Sequence, residues 1–377
     1  MTFRKFLKRA ITVFVVSLLL VVGISAIAAE GFMSRFFGKY NNLADVTEAL
    51  DNMSSAQLVQ SVAEAAREAE LNFNEQNFMY FSTAMLERAD EFTDEDLTDI
   101  ASNENYSGLM RVLAIQILGQ IHNYEFDSDD LCDLLKADNI SDEIRTNIMV
   151  ACNFSSKTGK ELLITLANDN NPETVFQAMK QLRSVDLDAA CEIADNIISN
   201  YELYHEKIVC AAILAKSKAL SIENYNARAT ENDIAQFIQF CSDFHDEATD
   251  QVSQDTAIIG IKRLHRPEGI EAIVQNKKFD PIMQSGAIGE NSVVLYQMIE
   301  EDPSEANIEL VCHAMEICPI SVFEVPLTKI REDINTHTAY SSRLNESLDL
   351  IDHALSRIKE DGIYDRRLVS YCEERNK

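Results

Sequence analysis

The histidines are where a search for chemistry begins, because imidazole serves both as a general base and as a metal ligand. None of them lies in an HExxH pattern, and no two are three or four residues apart. That spacing would be needed to place two zinc ligands on one face of a helix. A zinc peptidase is therefore not predicted. The seven histidines are His122, His205, His245, His265, His313, His337 and His353.

Other catalytic and cofactor-binding patterns are also missing from the sequence. It contains no GxSxG or GxGxxG pattern and no P-loop. The nearest glycine pair, Gly286 and Gly289, lies in an apolar stretch and is interpreted as a site of close helix packing. We predict no catalytic, cofactor-binding or metal-binding residues. An enzyme of unfamiliar type, with residues that converge only in three dimensions, stays an alternative.

The cysteines form no recognisable metal or redox motif. The closest two, Cys312 and Cys318, are six residues apart, and no CxxC occurs. Zinc and iron–sulfur sites use tighter groups. Most of the cysteines lie in apolar stripes, where a free thiol packs as a small hydrophobe, so we expect buried thiols. The eight are Cys132, Cys152, Cys191, Cys210, Cys241, Cys312, Cys318 and Cys372.

Three acidic stretches offer the oxygen ligands that calcium prefers: "TDEDLTD" (93–99), "EFDSDDLCD" (125–133) and "NDNNPE" (168–173). None has the glycine and the distant glutamate of an EF-hand in register. Aspartate and asparagine also cap helices and favour the N-terminal end of the helix dipole. We therefore expect capping here rather than metal binding.

A fourth cluster is the most ligand-like in the chain. Its imidazole and carboxylates occur within eight residues, and we expect them in a solvated loop of a long spacer between helices. Its members are Asp243, His245, Asp246, Glu247 and Asp250.

The net charge limits the classes of partner. At −29 the chain is strongly acidic, and no Lys/Arg run occurs outside its N-terminus. Phosphate backbones are repelled by such a surface, so no nucleic-acid partner is predicted. The acidity is interpreted as a source of solubility, with attraction of a basic partner or of cations as the alternative.

The N-terminus predicts contact with a membrane. Residues 11–29 carry no charge and follow four basic residues, Arg4, Lys5, Lys8 and Arg9. A helix over 11–29 would be about 28 Å long, close to the hydrocarbon thickness of a bilayer. The bases would stay cytoplasmic, leaving the rest of the chain outside. A cleaved signal peptide, with Ala26-Ile27-Ala28 as its cleavage site, is the alternative, and it would make the protein secreted.

After this stretch, "GFMSRFFGKY" (31–40) interleaves aromatic with basic side chains. Such residues suit the headgroup region of a bilayer. The alternative is that they belong to the first packed helix of the folded domain.

The elements that must position all these residues are predicted to be helices. Glycine (11) and proline (6) are scarce, and apolar segments recur with the spacing i, i+3, i+4, i+7. In "NPETVFQAMKQL" the predicted stripe is Val175, Ala178, Met179 and Leu182. Similar stripes start at 111, 145, 208 and 257, with looser copies at 283 and 308. Helical pairs of about thirty residues cannot bury their apolar faces alone and stack on one another.

The segments "LMRVLAIQILGQI", "EIRTNIMVACNF" and "NNPETVFQAMKQL" resemble HEAT-type repeats, including their short bacterial form. The resemblance covers roughly 105–320 and is clearest over 107–218. Two copies carry an arginine at the start of the stripe, Arg111 and Arg145. The resemblance implies an armadillo-type α-solenoid that acts as a protein-binding scaffold.

The predicted organisation is all-α, with four parts. Residues 1–30 form a signal anchor or signal peptide, 31–104 an N-terminal helical cap, 105–320 the HEAT-like region and 321–377 a C-terminal cap. The expected function is a membrane-tethered, non-enzymatic scaffold that binds another protein at the cell envelope. The alternative is a secreted acidic domain that binds a cationic ligand or a divalent metal.

Overall fold

The computed structural model describes residues 50, 52–72, 75–125, 129–137, 140–222, 229–336 and 344–375. The predicted membrane span at 11–29 and the aromatic segment at 31–40 lie outside these residues. The chain divides into two compact units, Met1–Asp169 and Asn170–Lys377. The predicted boundaries after residues 30, 104 and 320 stay predictions.

The described part of the chain is all-α. No β-strand occurs within it, and extended pairing is limited there to two isolated bridges, Glu125 with Asn153 and Ile320 with Ile363. No helix in this part is long and apolar enough to span a membrane.

The N-terminal unit contains seven described helices joined by short connections. They are α1 (Ser55–Asn72), α2 (Glu75–Glu87), α3 (Asp94–Ser102), α4 (Gly108–Gln116), α5 (Asp129–Lys136), α6 (Asp142–Ala151) and α7 (Lys157–Leu166). Helix α4 packs between α1 and α6, and α3 packs on α4. Ser141 is the N-cap of α6, because its hydroxyl accepts from the Ile144 N–H.

Helix α4 continues into a π-helical turn, Ile117–Ile121, which faces the end of α6. Gly119 lies in this turn. A Cβ at this position would overlap the backbone carbonyl of Ala151, so the two backbones approach as closely as a glycine permits. The wider π turn and the missing side chain together allow this contact.

The second unit contains twelve described helices. They are α8 (Pro172–Val185), α9 (Leu187–Ser199), α10 (Glu206–Ser221), α11 (Glu231–Glu247), α12 (Gln251–Lys262), α13 (Pro267–Gln275), α14 (Pro281–Glu290), α15 (Ser292–Glu301), α16 (Glu305–Ile317), α17 (Glu324–Thr336), α18 (Leu344–Asp361) and α19 (Arg366–Arg375). Helices α8, α10, α12, α14, α16 and α18 each contact the next one in this order, forming one row. Helices α11, α13 and α15 contact one another in a second row beside it.

Polar contacts at the helix starts show that α8, α10 and α12 run in the same direction. Glu173, in the first turn of α8, pairs with Lys207, in the first turn of α10. Glu206, at the start of α10, accepts hydrogen bonds from the Thr249 N–H (2.9 Å) and hydroxyl (2.8 Å), just ahead of α12. Their N-termini therefore lie along one edge of the unit.

Contacts at the helix ends extend this parallel arrangement to α14. Lys262, the last residue of α12, pairs with Glu290, the last residue of α14, at 2.8 Å. The Asn291 amide, just past α14, donates to the Lys262 carbonyl (3.1 Å). The C-termini of α12 and α14 are thus neighbours, and so are their N-termini.

The predicted stripes are confirmed in most helices. Val175, Ala178, Met179 and Leu182 are all buried, and so are the corresponding residues of the copies at 111, 145, 208, 257 and 308. In α14 the prediction is wrong by one position. Gln284, Ala287 and Ile288 are buried there, whereas Met283 is half-exposed.

The expectation that Gly286 permits close packing is also wrong. Gly286 is exposed, and a Cβ there would meet no atom within 4 Å. Because the α14 stripe starts one residue later than predicted, Gly286 is turned away from the neighbouring helices. Gly289 lies near Cys318, but a Cβ there would meet its sulfur only at an ordinary 3.9 Å.

A side-chain donor at the start of four stripes binds the end of the preceding helix. These donors carry equivalent hydrogen bonds in both units, and the sequence signals them only where they are arginine. The pairs are Arg111 with the carbonyl of Ala101, Arg145 with Ala137, Gln254 with Ala248, and Gln284 with both Ile273 and Asn276, at N···O distances of 2.8–3.0 Å. The last helical carbonyls have no partner within their own helix, so these donors satisfy them.

Candidate protein-binding surfaces

The histidines of the described residues lie at several places in the fold. His122 contacts the Asp94 carboxylate (2.6 Å) and the Ala89 carbonyl (3.0 Å), joining the π-helical turn to the start of α3. His313 and His353 contact different oxygens of the Glu316 carboxylate. Within the described residues, no group of three His, Cys, Asp or Glu side chains could hold a metal ion.

The acidic stretches contribute helix caps, as expected. Thr93 and Asp96 form a capping box at the start of α3, and hydrogen bonds from the Thr93 hydroxyl and N–H lower the Asp96 pKa. Asn171, in the third stretch, caps α8 by accepting from the Glu173 and Thr174 N–H groups. The aspartates at 127, 129 and 130 lie among residues whose side chains are not described.

The cluster at Asp243–Asp250 does not form the solvated loop that we expect from the sequence. Its first four members lie in the last turns of α11, because the helix continues to Glu247. His245 is buried against the Phe279 ring, and Asp246 pairs with Lys278. Glu247 accepts from the Tyr201 hydroxyl, and Asp250 caps α12. His245 Nδ1 and Asp246 Oδ1 remain in contact at 3.2 Å, while Glu247 and Asp250 bind other partners.

The expectation of buried thiols is confirmed for six cysteines of the described part, Cys152, Cys191, Cys210, Cys241, Cys312 and Cys318. Burial raises the pKa of Cys152 and of Cys312 to about 12 and that of Cys191 to about 11. A thiol with such a pKa stays protonated at neutral pH and is a poor nucleophile and metal ligand. Cys372 is half-exposed, and the Cys132 side chain is not described.

A cleft of about 740 Å³ opens between α1 and the segment from α3 to Ser107, within the N-terminal unit. One wall is the face of α1 opposite its buried stripe. The other wall is a face of α3 with the turn that follows it. We call the apolar and aromatic lining residues of the cleft its base: Ala56, Val59, Ala63, Phe92, Ile100 and Tyr106.

Carboxylates line the cleft in excess over bases. Its exposed acidic residues are Glu64, Glu91, Asp96 and Asp99, and its basic residue is Arg67. Hydrogen bonds from Arg88 and Ser55 lower the Glu91 pKa, so this group is ionised at neutral pH. An apolar base with a negative rim is suited to a segment that carries both apolar and basic side chains.

A second surface lies at the N-terminal edge of α10, α12 and α14 in the second unit. Leu203, in the 3-10 turn before α10, is 82% exposed. Val252 and Ile282, the second residues of α12 and α14, are 73% and 81% exposed. Because the three helices are parallel neighbours, we name Leu203, Val252 and Ile282 the apolar edge. With axes roughly 8–10 Å apart, it extends about 20 Å.

A carboxylate accompanies each residue of the apolar edge. Glu202 precedes Leu203, while Asp250 and Asp280 cap α12 and α14 two residues before Val252 and Ile282. The stripe analysis missed the three aliphatic side chains because they lie outside the buried frame. The signal that could have found Val252 and Ile282 is an aliphatic residue at the second position of a helix, ahead of the buried stripe.

Comparison with known proteins identifies no related family. No protein-family model matches the sequence, and no curated protein matches it. A crystal structure of an engineered protein aligns at 14% identity over 85% of this chain and 99% of its own length, with a TM-score of 0.14. An alignment with this TM-score supports no conclusion about the fold. The class of the protein, all-α, therefore rests on its own helices.

Proposed function

We propose that this chain is a non-enzymatic helical-repeat scaffold that binds another protein at the cell envelope. The observation that carries the proposal is the apolar edge. Large aliphatic side chains exposed at the same place on three neighbouring helices are typical of a protein-binding surface. The partner would present apolar side chains accompanied by bases, matching the carboxylate beside each aliphatic residue.

The repeat character of the scaffold is part of this proposal. The row from α8 to α18 and the second row beside it support a HEAT-like α-solenoid, because each helix contacts mainly its neighbours in order. The stripe-start donors support it further, since an equivalent hydrogen bond recurs in four helical pairs: α3/α4, α5/α6, α11/α12 and α13/α14. In such an arrangement equivalent residues line up along an edge, as Val252 and Ile282 do.

The test compares the apolar edge with an equally exposed control. Leu203→Glu/Val252→Glu/Ile282→Glu removes three aliphatic contacts, each worth about 1.5–3 kcal/mol when buried. The control is Val325→Glu, because Val325 is 75% exposed but is the second residue of α17, which follows the C-terminal end of α16. The tagged full chain would be crosslinked in its native membrane and its companions identified by mass spectrometry.

We expect wild type and Val325→Glu to recover the same stoichiometric companion, and the triple variant to lose it at least about tenfold. Equal recovery by all three proteins, or no companion above background, would contradict the proposal. Circular dichroism of each variant checks that the helices are intact.

Membrane attachment through residues 11–29, with the helical part outside the cytoplasm, belongs to the same proposal. The four bases ahead of an uncharged stretch of bilayer length support it. N-terminal sequencing of the mature protein should find the first 29 residues retained. A start near Ala29 or Glu30 would favour the secreted form instead.

A further inference from the structure

We propose that the cleft of the N-terminal unit binds residues 31–40 of the same chain. The segment "GFMSRFFGKY" would place its aromatic side chains on the apolar base and its two bases against the acidic rim. This inference concerns a different unit from the apolar edge and does not depend on the scaffold function.

The composition of the segment matches the cleft in two respects. It carries four aromatic residues, Phe32, Phe36, Phe37 and Tyr40, and two bases, Arg35 and Lys39, without an acid. The cleft offers the opposite combination, with apolar and aromatic groups at its base and an excess of carboxylates at its rim. In a chain with a net charge of −29, ten residues with bases and no acid form an unusual segment.

The described chain begins at the rim of this cleft. Leu50 is 8% exposed, and its carbonyl accepts a hydrogen bond from Arg88 Nη1 (3.2 Å). Arg88 also binds both carboxylate oxygens of Glu91, which lines the cleft. Leu50 is thus fixed through one arginine to the acidic rim, and residues 31–40 precede it at a short distance along the chain.

The connection between the segment and Leu50 is long enough to let the segment reach the cleft and short enough to keep it nearby. Nine residues, 41–49, connect the segment to Leu50. They can span at most about 30 Å, so the segment cannot move far from the residues beside the cleft. A tether of this length holds the segment at an effective concentration in the millimolar range. Binding that would be weak between separate molecules is therefore sufficient within one chain.

The cleft lining contains exposed charges that lie outside the core of the unit. Helix α1 buries Leu58, Val62, Ala65, Ala66 and Ala69 on its opposite side. On the cleft side, Glu64 and Asp99 are exposed and take no part in the capping box of α3. Their charges can therefore be reversed without removing a buried contact.

The experiment places a photoreactive p-benzoylphenylalanine at Phe37 of the full-length protein in its membrane. We expect irradiation to give an intramolecular crosslink to peptides that contain α1 or the stretch 92–107, identified by mass spectrometry. Crosslinks only to lipid would assign the segment to the bilayer surface. Crosslinks only to another protein, or to a second copy at dimer mass, would assign it to a partner. Each of these outcomes overturns the proposal.

Charge reversal tests whether the rim selects the segment. Glu64→Lys/Asp99→Lys should lower the intramolecular yield by about tenfold, because two attractions become repulsions. Adding Arg35→Glu/Lys39→Glu should restore it. The control Asp133→Lys/Glu161→Lys makes the same change in net charge at exposed positions of the unit outside the cleft, and its yield should equal that of wild type. A yield insensitive to Glu64→Lys/Asp99→Lys, or no rescue, would contradict binding in the cleft.

Discussion

The two units expose different surfaces although both are built from short helical pairs. The N-terminal unit has a concave surface, a cleft whose lining combines apolar side chains with an excess of carboxylates. The second unit has projecting aliphatic side chains along a row of helix N-termini. Their interiors differ too. Gly119 meets the backbone of Ala151 in the first unit, while Gly260 meets the side chains of Ile213 and Cys241 in the second.

This difference indicates how helical pairs of the same kind form two different surfaces. A helix face that packs nowhere, such as the outer face of α1, becomes the wall of a cleft when a second helix stands beside it. Parallel neighbours in a row instead bring equivalent first-turn residues together at an edge. The predictions below test the internal difference between the units, starting with the largest expected effect.

The largest effect is expected from alanine at the two buried glycines. Gly119→Ala should cost about 3 kcal/mol or more, because only a backbone shift can relieve its overlap with the Ala151 carbonyl. Gly260→Ala should cost about 1–2 kcal/mol, since its nearest atom, Ile213 Cγ2 at 2.5 Å, can move with its side chain. Native-state hydrogen exchange in α4 and in α12 measures each effect locally. Equal losses would remove the distinction between the two interiors.

A smaller effect is expected where side-chain donors bind the ends of helices. Gln284→Leu removes two hydrogen bonds, to the carbonyls of Ile273 and Asn276, and should cost about 2 kcal/mol. Gln254→Leu removes one bond, to Ala248, and should cost about 1 kcal/mol. Hydrogen exchange in α14 and α12 provides the measurement.

The same measurement on Arg111→Leu and Arg145→Leu extends this test to the N-terminal unit. Destabilisation in all four variants would support one recurring donor. If only the arginine variants lost stability, the stabilising role of these donors would be confined to the N-terminal unit.

A gain in stability is expected at Gly286, which serves as the control for the buried glycines. Its position is helical and exposed, and a methyl group added there would have no atom within 4 Å. Gly286→Ala should therefore stabilise the second unit by about 0.4–1 kcal/mol, through the higher helix propensity of alanine. Slower amide exchange in α14 would report the gain. A loss of stability would mean that this glycine packs closely after all.

The smallest effect concerns the pH dependence of two helix caps. Hydrogen bonds from the Ser253 hydroxyl and N–H lower the Asp250 pKa, as those from Thr93 lower that of Asp96. A lowered pKa contributes stability above the ordinary aspartate pKa of about 4, and this contribution disappears as the pH falls through the lowered value.

Asp250→Asn and Asp96→Asn keep a capping oxygen but cannot titrate. Wild type should therefore exceed each variant in urea midpoint at pH 7, and the difference should shrink towards pH 3. A difference that stays constant with pH would show that these charges contribute nothing to folding.

Sequence periodicity predicted the interior better than the surface. Val175, Ala178, Met179 and Leu182 are buried as predicted, because a stripe of this spacing can only face another helix. The prediction was wrong by one residue in α14, where the buried Gln284 looked polar and therefore exposed. His245 and its neighbours were assigned to a loop because acidic residues obscured the last turns of α11.

By itself, the sequence determined the helical class, the buried stripes, several caps and the burial of most thiols, since each of these depends on residues close together along the chain. Only the tertiary structure decided which exposed residues became neighbours. The cleft requires the separation of α1 from α3, and the apolar edge requires three helices to be parallel. Periodicity records which side of a helix is buried, but not the partner, direction or register of its packing, and those three quantities create a binding surface.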